Sequence, residues 1–486
     1  MPSIAEPPLR IAGGHVLLAE DGGPLAALPR DLWVSGGTIL RIAQPGADGI
    51  EGEQVLDATG TLVAPGLINA HTHSPLVSLR GTTDGLGHVG FMWRNQADTA
   101  GRRAEEVYAH AYAQALEALA GGTTAMIDHF PEQNPGLADI EAAVAAYRDA
   151  GLRCTLALRI FDGAYDDILP RPESGLVPPD PSPLAPESVD TLIGVCTEAV
   201  AAWHGADGRI ALMPGPSNPL RCSDALLTAS AALAEARDLG LHAHMLETRR
   251  QRDLSRARHG VSNVAHLDAL GILSPRWSLA HCVWVDEGDI DAFAAKGGIP
   301  IHNPASNAKL QVGTAPIATL LARGITVALG TDGASTSDTL DMHEAMALAA
   351  LVSRVRGEPT SAAAAYDLAT TGGAAALRQA DVRGRIEPGA AADLTFYDLA
   401  APSLAPLHDA VQQLVFAVRA DAVCRTMVAG RTVFVRDAAH AAKLRAAAAR
   451  AAEAKAAAVA RATHLSAFAA AMAADERRAR ESAAGS

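Results

Sequence analysis

Eight apolar, strand-like runs alternate with Ala- and Leu-rich helical stretches through the middle of this chain, and that alternation limits the folds open to it. The runs cover residues 62–71, 124–129, 154–160, 210–214, 241–245, 278–282, 299–303 and 326–330. Helical stretches fall at 105–120, 139–150, 189–204, 223–238, 286–295 and 316–323. Strands joined through helices pair in parallel, and eight such units in succession predict an α/β fold of the (β/α)8 TIM-barrel type. Shorter strand signals broken by Gly, Pro and Asp precede the barrel at 9–11, 16–18, 32–34, 39–42 and 55–56. They return at 393–397, 422–428 and 432–435. The expected organisation is a small β-sandwich domain from both chain ends (1–62 plus 385–437), a catalytic barrel (63–384) and an Ala-rich helical C-terminal tail (438–486). That tail is expected to pack on the body or on a partner. The Pro-rich stretch 169–186 reads as an irregular excursion over the barrel and part of a lid.

The polar residues sit where a barrel enzyme needs them, at the C-terminal ends of the strands. His71 and His73 end the first run, Asp128 and His129 the second, His244 the fifth, with Glu247 three residues on. His281 ends the sixth, His302 and Asn303 the seventh, and Asp332 the eighth, inside Gly330-Thr331-Asp332-Gly333. Residues i and i+2 of a strand share a face, so the two imidazoles of His71-Thr72-His73 can reach one metal ion. Paired histidines also decorate ordinary exposed strands. The agreement of several independent strand ends favours a site.

Composition removes other classes. With 40 Lys and Arg against 54 Asp and Glu, the net charge of −14 disfavours nucleic acid and anionic membranes as partners. Hydrophobic residues make up 49 % of 486, enough for a large core. The five cysteines are scattered, with no C-x-x-C pair, and read as free thiols in a reducing compartment. Residues 1–10 hold no apolar signal core, and no run long enough to span a bilayer occurs. These features lead to the expectation of a cytoplasmic enzyme. No P-loop occurs, and His343-Glu344 is not a zincin motif, because residue 347 is Ala.

Over residues 9–440 the chain resembles the amidohydrolase superfamily, in its aminohydrolase and chlorohydrolase branch. The resemblance rests on Pro65-Gly66-Leu67-Ile68-Asn69-Ala70-His71-Thr72-His73, Gly121-Gly122-Thr123-Thr124, His242-Ala243-His244-Met245-Leu246-Glu247-Thr248 and His281-Cys282. It rests further on the run from His302-Asn303-Pro304 to Leu310, and on Leu329-Gly330-Thr331-Asp332-Gly333. That branch includes deaminases of thiomethyladenosine and adenosylhomocysteine, of guanine and of cytosine, and the triazine hydrolases.

The resemblance implies one divalent metal ion, zinc first and iron second, with ligands His71, His73, His244 and Asp332. Neutral imidazoles and a carboxylate suit either ion. The region of strand 4, Leu212-Met213-Pro214-Gly215-Pro216, lacks the lysine of two-metal relatives. The implied catalytic set is Asp332 to accept the proton of the attacking water, Glu247 to shuttle a proton to the ring nitrogen, and His281 to hydrogen-bond the attacking oxygen. His242 reads as a supporting residue. Trp93, Gln96, His129 and Asn303 are candidates for substrate binding. The expected reaction is hydrolytic deamination of an aminated triazine, pyrimidine, pterin or purine. Loss of chloride, alkylamine or methylthio is the alternative, and cyclic amide hydrolysis is less favoured. Relatives acting on nucleosides carry a histidine after the strand-4 proline, where this chain has Gly215, and a different loop after strand 1. Both departures favour a smaller ring. A homodimer or higher homo-oligomer is expected from the family's habit.

Overall fold

The computed structural model describes residues 7–20, 22–164, 169 and 186–484. The central strands are β1 (Leu67–Thr72), β2 (Thr123–Phe130), β3 (Arg153–Ile160), β4 (Ile210–Pro216), β5 (Leu241–Met245), β6 (Trp277–His281), β7 (Ile299–His302) and β8 (Ala328–Leu329). They make two four-stranded sheets, β1 to β4 and β5 to β8, with sequential neighbours paired in parallel. Every residue of β2 and β3 is buried, as befits parallel strands covered on both faces. Helices Ala104–Ala120, Leu137–Ala150, Val189–Trp203 and Asp224–Ala236 lie between the strands in sequence. The two sheets meet at both edges. The His244 N–H donates to the Ser217 carbonyl at 3.2 Å, and the Asp332 N–H donates to the His71 carbonyl at 2.9 Å.

The first apolar run is not one strand. It divides at Gly66 into Thr61–Pro65, which belongs to another sheet, and β1. Gly66 is required there by close approach, since a Cβ would lie 2.2 Å from the Thr124 side chain. The last run is also shorter than expected, because only Ala328–Leu329 pairs with β7. Leu169–Pro186, read as a lid, falls outside the described residues apart from Leu169 and Pro186.

Strands from both chain ends share sheets. One sheet holds Leu9–Ala12, Asp31–Ser35, Thr38–Ala43 and Gln54–Asp57. The other joins His15–Leu18, Ala26–Pro29 and Thr61–Pro65 to Leu394–Asp398, Val423–Val428 and Arg431–Val435. Ile11, Leu32 and Ile39 of the first sheet pack with Val16, Val63, Phe396 and Met427 of the second in one apolar cluster. Ala26–Pro29 carried too weak a strand pattern to be expected.

The Ala-rich tail forms helices Ala438–Arg461 and Thr463–Ala484. The first packs on Ala104–Ala120 and the second on helix His88–Thr99. Alanines at 447, 451 and 469 let these backbones come close, and all three are buried in the main core. Among the described residues no helix is long and apolar enough to cross a membrane.

Gly66→Ala should lower the unfolding free energy by about 1–3 kcal/mol in urea denaturation; an unchanged midpoint would contradict the close approach. A second prediction concerns His110, buried beside Ser78 Oγ at 3.0 Å. Burial pushes its imidazole down to about 4. The unfolded chain instead protonates it near the ordinary value of about 6.5. Its contribution is therefore full above that value and is lost as pH falls from there toward the folded one. Across this window the wild-type melting temperature should fall more steeply than that of His110→Gln. Parallel slopes would assign the acid sensitivity elsewhere.

Candidate active site

β1 delivers His71 and, just past its end, His73; alternation along the strand sends both rings to the same side. Each ring is oriented by what its Nδ1 contacts. His73 Nδ1 donates to the His129 carbonyl at 2.9 Å and lies 3.0 Å from Glu132 Oε1. His244 Nδ1, on β5, donates to the Ser217 carbonyl at 2.7 Å. His71 Nδ1 meets His242 Nε2 at 2.8 Å, and His242 is held in turn by Ser278 Oγ at 2.8 Å. These bonds leave the Nε2 atoms of His71, His73 and His244 for a common point. His71 Nε2 is fully buried and has no hydrogen-bond partner among the described residues.

Asp332 closes the cluster. It follows β8 with a left-handed φ of 64°, which an aspartate tolerates better than most residues. The kink brings Oδ1 to 3.7 Å from His71 Nε2 and 3.5 Å from His73 Nε2, while Gly333 N–H donates to that same oxygen at 2.7 Å. His244 Nε2 is 3.3 Å from His73 Nε2. Two ligand atoms each about 2.1 Å from a tetrahedral ion lie about 3.4 Å apart. The spacing of this donor set therefore fits one small divalent cation, and the orphaned His71 nitrogen is what such an ion would satisfy. Burial pushes the His71 and His244 imidazoles well below the ordinary range, so both are in the neutral form that binds a cation.

His281 ends β6 with φ 76°. Its Nδ1 donates to Asn307 Oδ1 at 2.9 Å, and its Nε2 faces Asp332 Oδ2 at 3.9 Å. Asn303 supports it from β7. Its amide is best satisfied with the nitrogen toward the His302 and Gly330 carbonyls, both at 3.3 Å, which turns its oxygen to His281 Nδ1. Glu247 lies on the loop after β5 and lines the same cavity as His73, His244, His281 and Asp332.

Of the substrate-binding candidates, none lines this cavity. His129 packs beneath the cluster, 4.8 Å from the His244 ring, with Nε2 donating to the Gly215 carbonyl at 3.1 Å. Trp93 stacks edge-on against Phe468 of the tail at 4.6 Å, and Gln96 accepts from Gln133 at 2.7 Å. The reason is helical phase. Helix His88–Thr99 shows the cavity its 88, 91, 92 and 95 positions, one stripe at i, i+3, i+4 and i+7, and 93 and 96 fall outside it.

Glu132, Arg159 and His88 are cavity residues that escaped the sequence reading. Glu132 Oε2 accepts from Arg159 Nη1 at 2.7 Å, with both side chains buried. Burial alone would raise the Glu132 carboxyl, but Arg159 and His73 override it and hold the group well below the usual carboxylate range. His88 Nε2 donates to Glu247 Oε2 at 3.0 Å. Here too burial is overridden, and His88 with His281 keeps Glu247 ionised. An arginine inside the apolar run Leu156–Ile160 was a signal for the first pair.

The sequence profile of the amidohydrolase family matches residues 62–433. Over 396 residues the chain is 32% identical to a 5-methylthioadenosine/S-adenosylhomocysteine deaminase of Desulforudis audaxviator, covering 80% of this chain and 85% of that protein. It is 33% identical over 398 residues to a 5'-deoxyadenosine deaminase of Methanothermobacter thermautotrophicus, covering 80% and 85%. Among solved structures it is similar to an adenosine deaminase from Xanthomonas campestris with bound zinc, at TM-score 0.78 and 28% identity, covering 91% of this chain and 98% of that one.

Arg159→Met strands a buried carboxylate and should cost about 3–5 kcal/mol of unfolding free energy. Adding Glu132→Gln should recover most of that loss in a double-variant cycle. Additive losses would mean that the two groups do not depend on each other.

Proposed function

The chain belongs to the amidohydrolase family, and on that membership we propose that it catalyses hydrolytic deamination of an aminated nitrogen heterocycle, with the 6-aminopurine ring of adenosine-type compounds as the leading substrate class. The observation that carries this reading is the presence of Glu247, Asp332 and His281 on one cavity with the inward-facing imidazoles. The missing strand-4 histidine weighs toward a smaller ring. The names of the relatives, spread over four-fifths of the chain, weigh more.

A divalent metal is the cofactor of this family, and we propose His71, His73, His244 and Asp332 as its ligands here, with zinc as the ion that best suits three neutral imidazoles and one carboxylate. When bound, such an ion polarises a water molecule and lowers its pKa toward neutrality. The remaining chemistry belongs to the side chains. Glu247, ionised at rest, takes one proton of the water and passes it to the ring nitrogen beside the amine-bearing carbon. The new C–O bond forms as the C=N π pair moves onto that nitrogen. His281, its Nδ1 committed to Asn307, turns the lone pair of Nε2 to the attacking water and orients it by accepting from its O–H. Asp332 takes the second proton and delivers it to the amine. The C–N bond then breaks, ammonia leaves, and a ring carbonyl remains.

The same proposal extends to architecture. The two parallel sheets are read as one closed (β/α)8 barrel over 63–384, supported by the backbone bonds at both sheet edges. Residues 1–62 with 385–437 are read as the composite β-sandwich and 438–486 as the tail.

The test is ammonia release by zinc-loaded protein from adenosine, 5'-deoxyadenosine, guanine, cytosine, a pterin and an aminotriazine. Release from an adenosine-type compound is the expected result. Release of chloride, alkylamine or methylthio from triazines without any ammonia would replace deamination by the alternative reaction. Glu247→Gln should retain metal by elemental analysis and lose roughly 10²–10⁴-fold in kcat. Asp332→Asn should lose both metal and turnover. Turnover surviving in Glu247→Gln would remove that residue from proton transfer.

A further inference from the structure

Helix His88–Thr99 begins at the cavity, and its first residue is the partner of Glu247. Its N-cap is Gly87, which has no side chain to accept from the free amides of the first turn. The acceptor comes from 389 residues away in the chain. Glu476, on tail helix Thr463–Ala484, takes the N–H groups of Gly87 and Gly90 on Oε2, each at 2.9 Å, and that of Val89 on Oε1 at 3.4 Å. A carboxylate there also meets the positive end of the helix dipole. Gly90 makes room for it, because a Cβ at that position would lie 2.8 Å from Glu476 Oε2 and 3.2 Å from Ala473 Cα.

The tail helix is fixed at this point by packing as well as by charge. Ala473 belongs to a small apolar cluster with Leu86, Phe91, Val283 and Leu310, from the segments that follow β1, β6 and β7. Phe468 meets Trp93 one turn further along. The tail thus grips the same segment that presents His88. A carboxylate shuttle works only when its oxygen is held within a fraction of an ångström of the proton path, and His88 holds one of the two oxygens of Glu247.

We propose that the C-terminal helix completes the active site: Glu476 clamps the first turn of helix His88–Thr99, and His88, so clamped, is a positioning residue that orients Glu247 toward the substrate ring. The proposal rests on the proton-carrying role given to Glu247 above.

The test uses full-length, zinc-loaded protein and its Glu476→Ala, Glu476→Gln, His88→Leu and His88→Gln variants. Two readouts need no turnover: amide exchange at Gly87, Val89 and Gly90, and the His88 titration followed by NMR. In Glu476→Ala, exchange at those amides should rise roughly tenfold, with β2 amides unchanged, and the His88 imidazole, which the Glu247 and Glu476 carboxylates hold above its ordinary value against burial, should titrate lower. Glu476→Gln, which keeps an accepting oxygen, should lie between. With 5'-deoxyadenosine as probe, Glu476→Ala should lower kcat about tenfold and His88→Leu about 100-fold, with KM nearly unchanged. His88→Gln, which can still donate to Glu247, should recover most of the loss. Unchanged exchange and titration in Glu476→Ala overturn the clamp, even in an active enzyme. Altered exchange with unaltered kcat, or His88→Gln no better than His88→Leu, overturns the positioning role. Both turnover-free changes in Glu476→Ala, together with a wild type that releases no ammonia from any ring, keep the clamp and sink the deaminase reading instead.

Discussion

The site depends on removing several imidazoles from water while leaving one nitrogen of each uncommitted. A buried imidazole without a partner is expensive. Here that cost is met ring by ring through Nδ1: a carbonyl of β2 for His73, a carbonyl beyond β4 for His244, and His242 for His71. The parallel register makes this arrangement available, because it gathers the C-terminal strand ends, with their unpaired carbonyls, onto one rim. The Nε2 atoms of His71, His73 and His244 then converge. Asp332 brings a carboxylate oxygen beside them, through a left-handed backbone step at the end of a two-residue strand.

Around these imidazoles the walls carry charge in pairs. Glu132 is matched by Arg159 and Glu247 by His88. In a poorly hydrated cavity an unmatched carboxylate would take up a proton rather than stay ionised. The pairings therefore set protonation states as well as geometry. They also divide the labour: Glu132 abuts a floor histidine and stays locked to a guanidinium, whereas Glu247 is held through a single oxygen. Only the second arrangement is compatible with the proton-carrying role proposed for Glu247.

The tail explains a peculiarity of the helix after β1. A helix starting at Gly87 and carrying Gly90 in its first turn is poorly made on its own. Contact with Thr463–Ala484 gives it an acceptor for its amides and an apolar neighbour for Phe91 and Trp93. Weak local propensity at this position thus goes with a long-range contact rather than with disorder.

Much of this was legible in the sequence, for reasons of period. Alternation of apolar runs and helical stretches announced eight parallel strands in order, and the i, i+2 rule put His71 and His73 on one face. His244, His281 and Asp332 stand out as candidates because a polar residue ending an apolar run has few other reasons to be there. What remained hidden depended on which surface faces which. The phase of helix His88–Thr99 around its axis, which turns His88 and Asn95 inward and Trp93 and Gln96 outward, is chosen by the tail that packs behind it. The division of the first run at Gly66 follows from the approach of Thr124, a residue in another strand. The bond from Glu476 to Gly87 joins two ends of the chain that no local pattern connects. Periodicity is a property of neighbouring residues, so the sequence by itself determined the succession of the central strands and the residues at their tips, though not every strand's bounds. The pairing of buried charges and the facing of helices are properties of contacts between distant segments, and only the tertiary structure decided them.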